Sequence, residues 1–137
     1  MLVPKGKEIM KRFAAVSDAN LAEFAATKKA ESDRIHREVI LRAEEHGNDG
    51  LYGDREFNTL VSERQDAYAA YADAIVESAQ RVNRRVRIMS EDTLARELHV
   101  LGIENHETSA FADLRLPKED VKRVIESESA RRRQLNK

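Results

Sequence analysis

The sequence predicts an all-α fold, a long antiparallel helical hairpin followed by two short C-terminal helices. Three observations carry this. Glycine and proline, five and two in 137 residues, are both absent from residues 7–46 and again from 54–101. Two runs of that length free of breakers read as two long helices. In the second run Phe57, Leu60, Val61, Tyr68, Tyr71, Ile75, Ala79, Val82, Val86 and Met89 follow steps of three and four, one stripe along a helix. Charged residues make up 36% of the chain and aromatics 5%, which suits long solvated helix faces better than a wide core.

The first run carries Ile9, Phe13 and Val16 as one short stripe and Leu21, Phe24, Ile35 and Val39 as another. We expect one continuous helix here, the alternative being a fresh start capped by Ser17 or Asp18. A helix of 40 residues is roughly 60 Å long, and its stability depends on covering the apolar stripe rather than on propensity. Six alanines between 67 and 79 favour helix and allow a second helix to approach closely. The short link between the runs makes the helices antiparallel neighbours.

That link, EHGNDGLYGDRE over 45–56, has two readings. With Gly50 at the sixth position it resembles the calcium loop of an EF-hand, with Asp49 fifth, Tyr52 eighth and Glu56 at the bidentate twelfth. Gly47 and Gly53 then stand at the third and ninth positions, where they bring no side-chain oxygen. Glu45 stands first in place of the usual Asp, and no second loop accompanies this one. The plainer reading is a turn near 47–53, with Gly47 as the C-cap of one helix and Asp54 as the N-cap of the next.

Beyond Met89, Ser90 reads as an N-cap with Glu91 and Asp92 in the first turn, where the helix dipole favours acids. Leu94, Leu98 and Leu101 share a face, and Gly102 with Ile103 fits a left-handed C-terminal cap. Residues 104–116 read as irregular, anchored by Phe111, Leu114 and Leu116. Pro117 opens a last helix with Val121, Val124 and Ile125 inward and a basic end, ARRRQLNK. Residues 1–89 are thus the hairpin, and 90–137 a two-helix segment packed on it within one domain.

Several chemistries lack their motifs. There is no cysteine, hence no disulfide, thiolate metal site or cysteine nucleophile. HExxH, GxxxxGK and GxSxG are missing, and no histidine has a glutamate three residues before it, as a di-iron bundle needs. Helices near 91–101 and 117–130 stand too far apart in sequence for a helix-turn-helix. The expectation is a protein that is not an enzyme and takes no cofactor, metal or small-molecule substrate. Residues 1–12 lack a signal-peptide run, and no window approaches 18 apolar residues. We therefore expect no membrane partner, and a cytoplasmic place or one in a particle assembled there.

Charge is segregated. A formal net charge of −1 hides four basic groups against one acid in residues 1–12, seven against fourteen in 13–80, and four arginines with no acid in 81–90. One basic group faces six acids in 91–113, and eight face four in 114–137. Folding the hairpin about residue 50 gathers the basic N-terminus and the arginine run at its open end. Arg81, Arg84, Arg85 and Arg87, with Arg131, Arg132 and Arg133 of the tail, are the candidate residues for binding a partner or phosphate. The bland alternative is that they complement helix C-termini and bridge to Glu8 or Asp92. Val61, Tyr68, Tyr71, Ile75 and Val82 are the candidate interface stripe.

These features point to a structural or adaptor protein acting through helix–helix contacts, in a homo-oligomer or a larger assembly such as a virion. The alternative is a nucleic-acid-binding accessory protein using the arginine end, although no aromatic residues interleave those arginines for base stacking. A weak calcium module at 45–56 is the second alternative.

Overall fold

The computed structural model describes residues 5–46, 54–102 and 109–136. The described residues are helical throughout their regular parts, with no strand among them. The helices are α1 (Lys5–Arg12), α2 (Asp18–His46), α3 (Arg55–Ile88), α4 (Glu91–Leu101) and α5 (Lys118–Leu135), with one 3₁₀ turn at Ala112–Leu114. Helices α2 and α3 form the long hairpin, and α4 and α5 are the short C-terminal helices. The chain divides into two compact units: residues 23–75, the hairpin unit, and residues 1–22 with 76–137, the terminal unit.

The hairpin unit packs on small residues. Ala25, Ser32, Ile35 and Val39 of α2 are buried, as are Ala67 and Ala74 of α3. Ala67 and Ala74 are seven apart, two turns of one face, and their missing side chains let the partner helix come close. The candidate interface stripe lies beside this line. Tyr68 is turned outward at 53% exposure, and Val61, Tyr71 and Ile75 are only half-buried. Polar pairs fasten the rims: Arg42 Nη1 donates to Glu56 Oε2 at 2.7 Å, and Arg64 Nη1 lies 3.0 Å from His36 Nδ1. The Lys29 ammonium sits 5.8 Å from the Tyr71 ring centre, within cation–π range.

The terminal unit has the wider core, built from Ile9, Phe13, Leu21, Val82, Val86, Leu94, Leu101, Phe111, Leu114, Val121 and Ile125. Helix α4 begins as expected: Ser90 is extended and its Oγ accepts from Thr93 N–H at 3.1 Å. Asp54 caps α3 in the same way, its Oδ1 accepting from Glu56 N–H at 2.9 Å and Phe57 N–H at 3.1 Å. Pro117 precedes α5, where its missing N–H costs nothing.

Two expectations are corrected. The first long run is not one helix: α1 ends at Arg12, residues 13–15 turn, and α2 starts at Asp18. Ser17 restarts the chain, its Oγ accepting from Asn20 N–H at 3.1 Å. The Phe13 carbonyl accepts both from Val16 N–H, a turn bond three residues on, and from Arg81 Nη2, each at 2.9 Å. The end of α4 is also not left-handed. Gly102 has φ −83° and ψ −11°, and its N–H reaches the Leu98 and His99 carbonyls at 3.2 and 3.1 Å, so the helix simply tightens in its last turn. The left-handed residue is Arg115, at φ 53° after the 3₁₀ turn.

Replacing Ser90 by Ala is expected to cost about 1 kcal/mol of stability. Urea denaturation at neutral pH checks this, and an unchanged midpoint removes the capping role.

Candidate functional site

The arginine run of α3 and the carboxylates around it form the most densely charged site of the terminal unit. Glu77 and Arg81 lie four apart on α3, so they meet on one face. Arg81 Nε donates to Glu77 Oε2 at 2.9 Å, and its Nη1 to Asp18 Oδ1, also at 2.9 Å. With the bond to the Phe13 carbonyl, one guanidinium binds an α3 acid, the first residue of α2 and the turn between α1 and α2. Arg84 Nη2 adds a second cation on Glu77 at 3.1 Å, and Arg85 grips both oxygens of Asp18.

Burial sets the energetics. The Glu77 side chain is 2% exposed and that of Arg81 9%, so neither is stable there without the other. Hydrogen bonding from the Arg85 guanidinium outweighs burial and holds the Asp18 carboxyl below its ordinary value of 3.8. For Arg81, burial acts against the charged form, but bonds to Glu77 and Asp18 prevail and raise its pKa.

A second network closes the other side of the arginine run. Arg131 Nε donates to both Glu128 oxygens at 2.9 and 3.0 Å. That bond is the main reason the Glu128 carboxyl is held below its ordinary value. Arg132 Nη2 reaches the Val86 and Arg87 carbonyls, each at 3.2 Å. These carbonyls lie in the last turn of α3, past its regular ladder; Val86 also accepts from Met89 N–H at 3.3 Å, and Arg132 caps the same turn from α5.

The seven candidate arginines therefore divide. Arg81, Arg84 and Arg85 are held by Asp18 and Glu77, Arg131 by Glu128, and Arg132 by Glu128 and the end of α3. Arg81 is buried and does not face solvent. Arg84, Arg87, Arg131 and Arg133 are exposed, the first and third while paired with Glu77 and Glu128. The carboxylates that meet the run are Asp18, Glu77 and Glu128, not Glu8 or Asp92. Glu77 is legible from its spacing to Arg81, whereas Asp18 stands 63 residues away with no local signal. In the candidate stripe, Val82 is 1% exposed and belongs to the chain's own core, so it cannot meet a partner.

A cleft of about 650 Å³ opens beside the network, lined by Met10, Val16, Ser17, Arg84, Arg85 and Asp113 among others. Its buried charges are already matched within the chain, so its chemistry is that of a clamp holding α1, α2 and α3. Among the described residues no group of three or more His, Asp or Glu is placed to hold a metal. The calcium-loop reading of 45–56 falls largely on 47–53, outside the described residues. Of its candidate ligands, Glu56 is paired with Arg42; Asp54 caps α3, as the turn reading expects. No described helix is long and apolar enough to cross a membrane.

Glu77→Gln is expected to destabilise the protein by about 3 kcal/mol, because it strips a buried guanidinium of one of its charges; thermal unfolding at pH 7 measures this. Asp18 titrates lower in the folded than in the unfolded chain. Its contribution is therefore complete above about pH 5 and fades as pH falls through 3.8 toward the folded value. The stability gap between wild type and Asp18→Asn should be flat from neutral pH to about pH 5 and narrow below that. A gap that widens on acidification refutes the assignment.

No known protein family matches the chain, and neither a curated relative nor a solved structure is significantly similar to it.

Proposed function

We propose that this protein is a non-enzymatic scaffold or adaptor subunit that works through helix–helix contacts, as a homo-oligomer or within a larger assembly. The observation that carries this reading is the apolar surface of the hairpin unit. Two helices bury only the faces they turn to each other. Here Ile40, Leu41 and Tyr68 are left exposed at 45%, 58% and 53%. Tyr68 also lines a shallow groove of about 460 Å³, with Lys29, Ser32, Asp33, His36 and Arg64. Further helices from another chain are the natural cover for such a face.

The distribution of arginine contacts supports this reading over nucleic-acid binding. Five of the seven candidate guanidinium groups hold the chain's own carboxylates or carbonyls. Phosphate binding through them would compete with those bonds.

Light scattering on a sizing column, with absorbance at 260 and 280 nm, tests the proposal. Wild type should elute at a mass above 15.6 kDa with a protein-like ratio. Tyr68→Asp should lower that mass by at least one subunit while leaving helicity by circular dichroism unchanged. An unaltered mass removes the Tyr68 face as the contact. A 260 nm excess lost in high salt supports the nucleic-acid reading instead.

A further inference from the structure

The two units carry opposite charge. Residues 23–75 hold seven basic and twelve acidic groups, while residues 1–22 with 76–137 hold seventeen basic and thirteen acidic. Each unit also presents an apolar patch bordered by its own sign. In the terminal unit, Ile88 and Leu135 are the two most exposed large apolar side chains among the described residues, at 86% and 69%. They end α3 and α5, whose C-terminal turns are tied together by the bonds from Arg132 to the Val86 and Arg87 carbonyls. Arg87 and Arg133, both exposed, directly precede Ile88 and stand two before Leu135. In the hairpin unit, Ile40 and Leu41 are followed on α2 by exposed Glu44 and Glu45. The spacing from 40 to 44 and from 41 to 45 places each acid one turn beyond an apolar residue, on the same face.

We propose that these patches dock on each other between copies of the chain. The acidic, apolar end of α2 in one copy meets the basic corner of α3 and α5 in the next. This rests on the scaffold reading above and names the partner as a second copy held head to tail. Charge complementarity selects that occupant. Two hairpin units facing each other bring like net charge together, as do two terminal units, whereas the mixed pairing joins opposite signs. Ile88 and Leu135 supply the apolar surface that Leu41 and Ile40 need for cover. The contact uses two different surfaces, so it is heterologous and propagates into a ring or an open chain.

The test uses two variants of the full chain, Arg87→Glu with Arg133→Glu and Glu44→Arg with Glu45→Arg, each examined by light scattering. Wild type should exceed 15.6 kDa in low salt and fall toward it in about 1 M salt, where the Debye length shrinks to about 3 Å. Each variant alone should run as a monomer. An equimolar mixture should regain at least twice the monomer mass, because each variant keeps the patch that the other has reversed. Circular dichroism checks folding, and the milder Gln replacements at the same four positions should loosen assembly in the same order. Variants that keep the wild-type mass, or a mixture that stays monomeric, overturn the inference. Association that disappears on nuclease treatment also overturns it, in favour of a nucleic-acid bridge. Assembly that survives both reversals removes this contact but leaves the scaffold reading standing. A wild-type monomer at every salt and concentration removes the inference and self-association together.

Discussion

One guanidinium organises the terminal unit. Arg81 reaches Glu77 on its own helix, Asp18 at the start of α2, and the Phe13 carbonyl between α1 and α2. The planar fork of arginine can aim at three acceptors at once, which a lysine ammonium on its flexible stem does less well. Removing these charges from water is costly, and a buried ion pair of this kind is seldom better than apolar packing. Its value here is positional. The carbonyl bond ties the turn after α1 to α3, and the Asp18 bond ties the first residue of α2 to it. Arg84 and Arg85 complete the arrangement by bringing a second cation to each buried or half-buried acid.

The same site explains what the sequence could and could not reveal. The hairpin is legible because it depends on local signals: two breaker-free runs, steps of three and four, and an aspartate at position 54 ready to cap. Ser90, Leu94 and Leu101 behave as expected for the same reason. The break at 13–17 is different. Ser17 offers a weak local cue, but the group that takes the Phe13 carbonyl lies 68 residues away. A pattern read along the chain has no access to such a bond. The α3 stripe shows a subtler limit. The steps of three and four run through Tyr68, named as an interface candidate, but do not show that Ala67 beside it is the residue buried between the helices. At Gly102 residue type suggested a left-handed cap, while the structure places that conformation at Arg115.

The charge map follows the same rule. Segregation along the sequence is plain, and it correctly locates a dense arginine site. It does not say whether those arginines face outward. The answer depends on Asp18, Glu77 and Glu128, of which Asp18 lies 63 residues from Arg81, while Glu77 and Glu128 sit on the same helices as the arginines they neutralise. Once those three acids are counted, a run that reads as a binding surface becomes mostly internal architecture. Of the four exposed arginines, Arg84 and Arg131 are tied to Glu77 and Glu128, while Arg87 and Arg133 stand beside two exposed apolar side chains.

This division bears on the choice among functional readings. A phosphate-binding surface gains affinity from many free cations, each releasing counterions, whereas two of the four exposed arginines here are already paired with Glu77 and Glu128. A protein contact gains from apolar area with charges at its rim that set orientation. Ile88 with Arg87, and Leu135 with Arg133, have the second composition, as do Ile40 and Leu41 with Glu44 and Glu45. Exposed surface charges screen within about 8–10 Å at physiological salt, so the net charge of −1 says little about association. Local pairing of sign and apolar surface decides it. On that criterion the two patches have the composition that the proposed contact between copies requires.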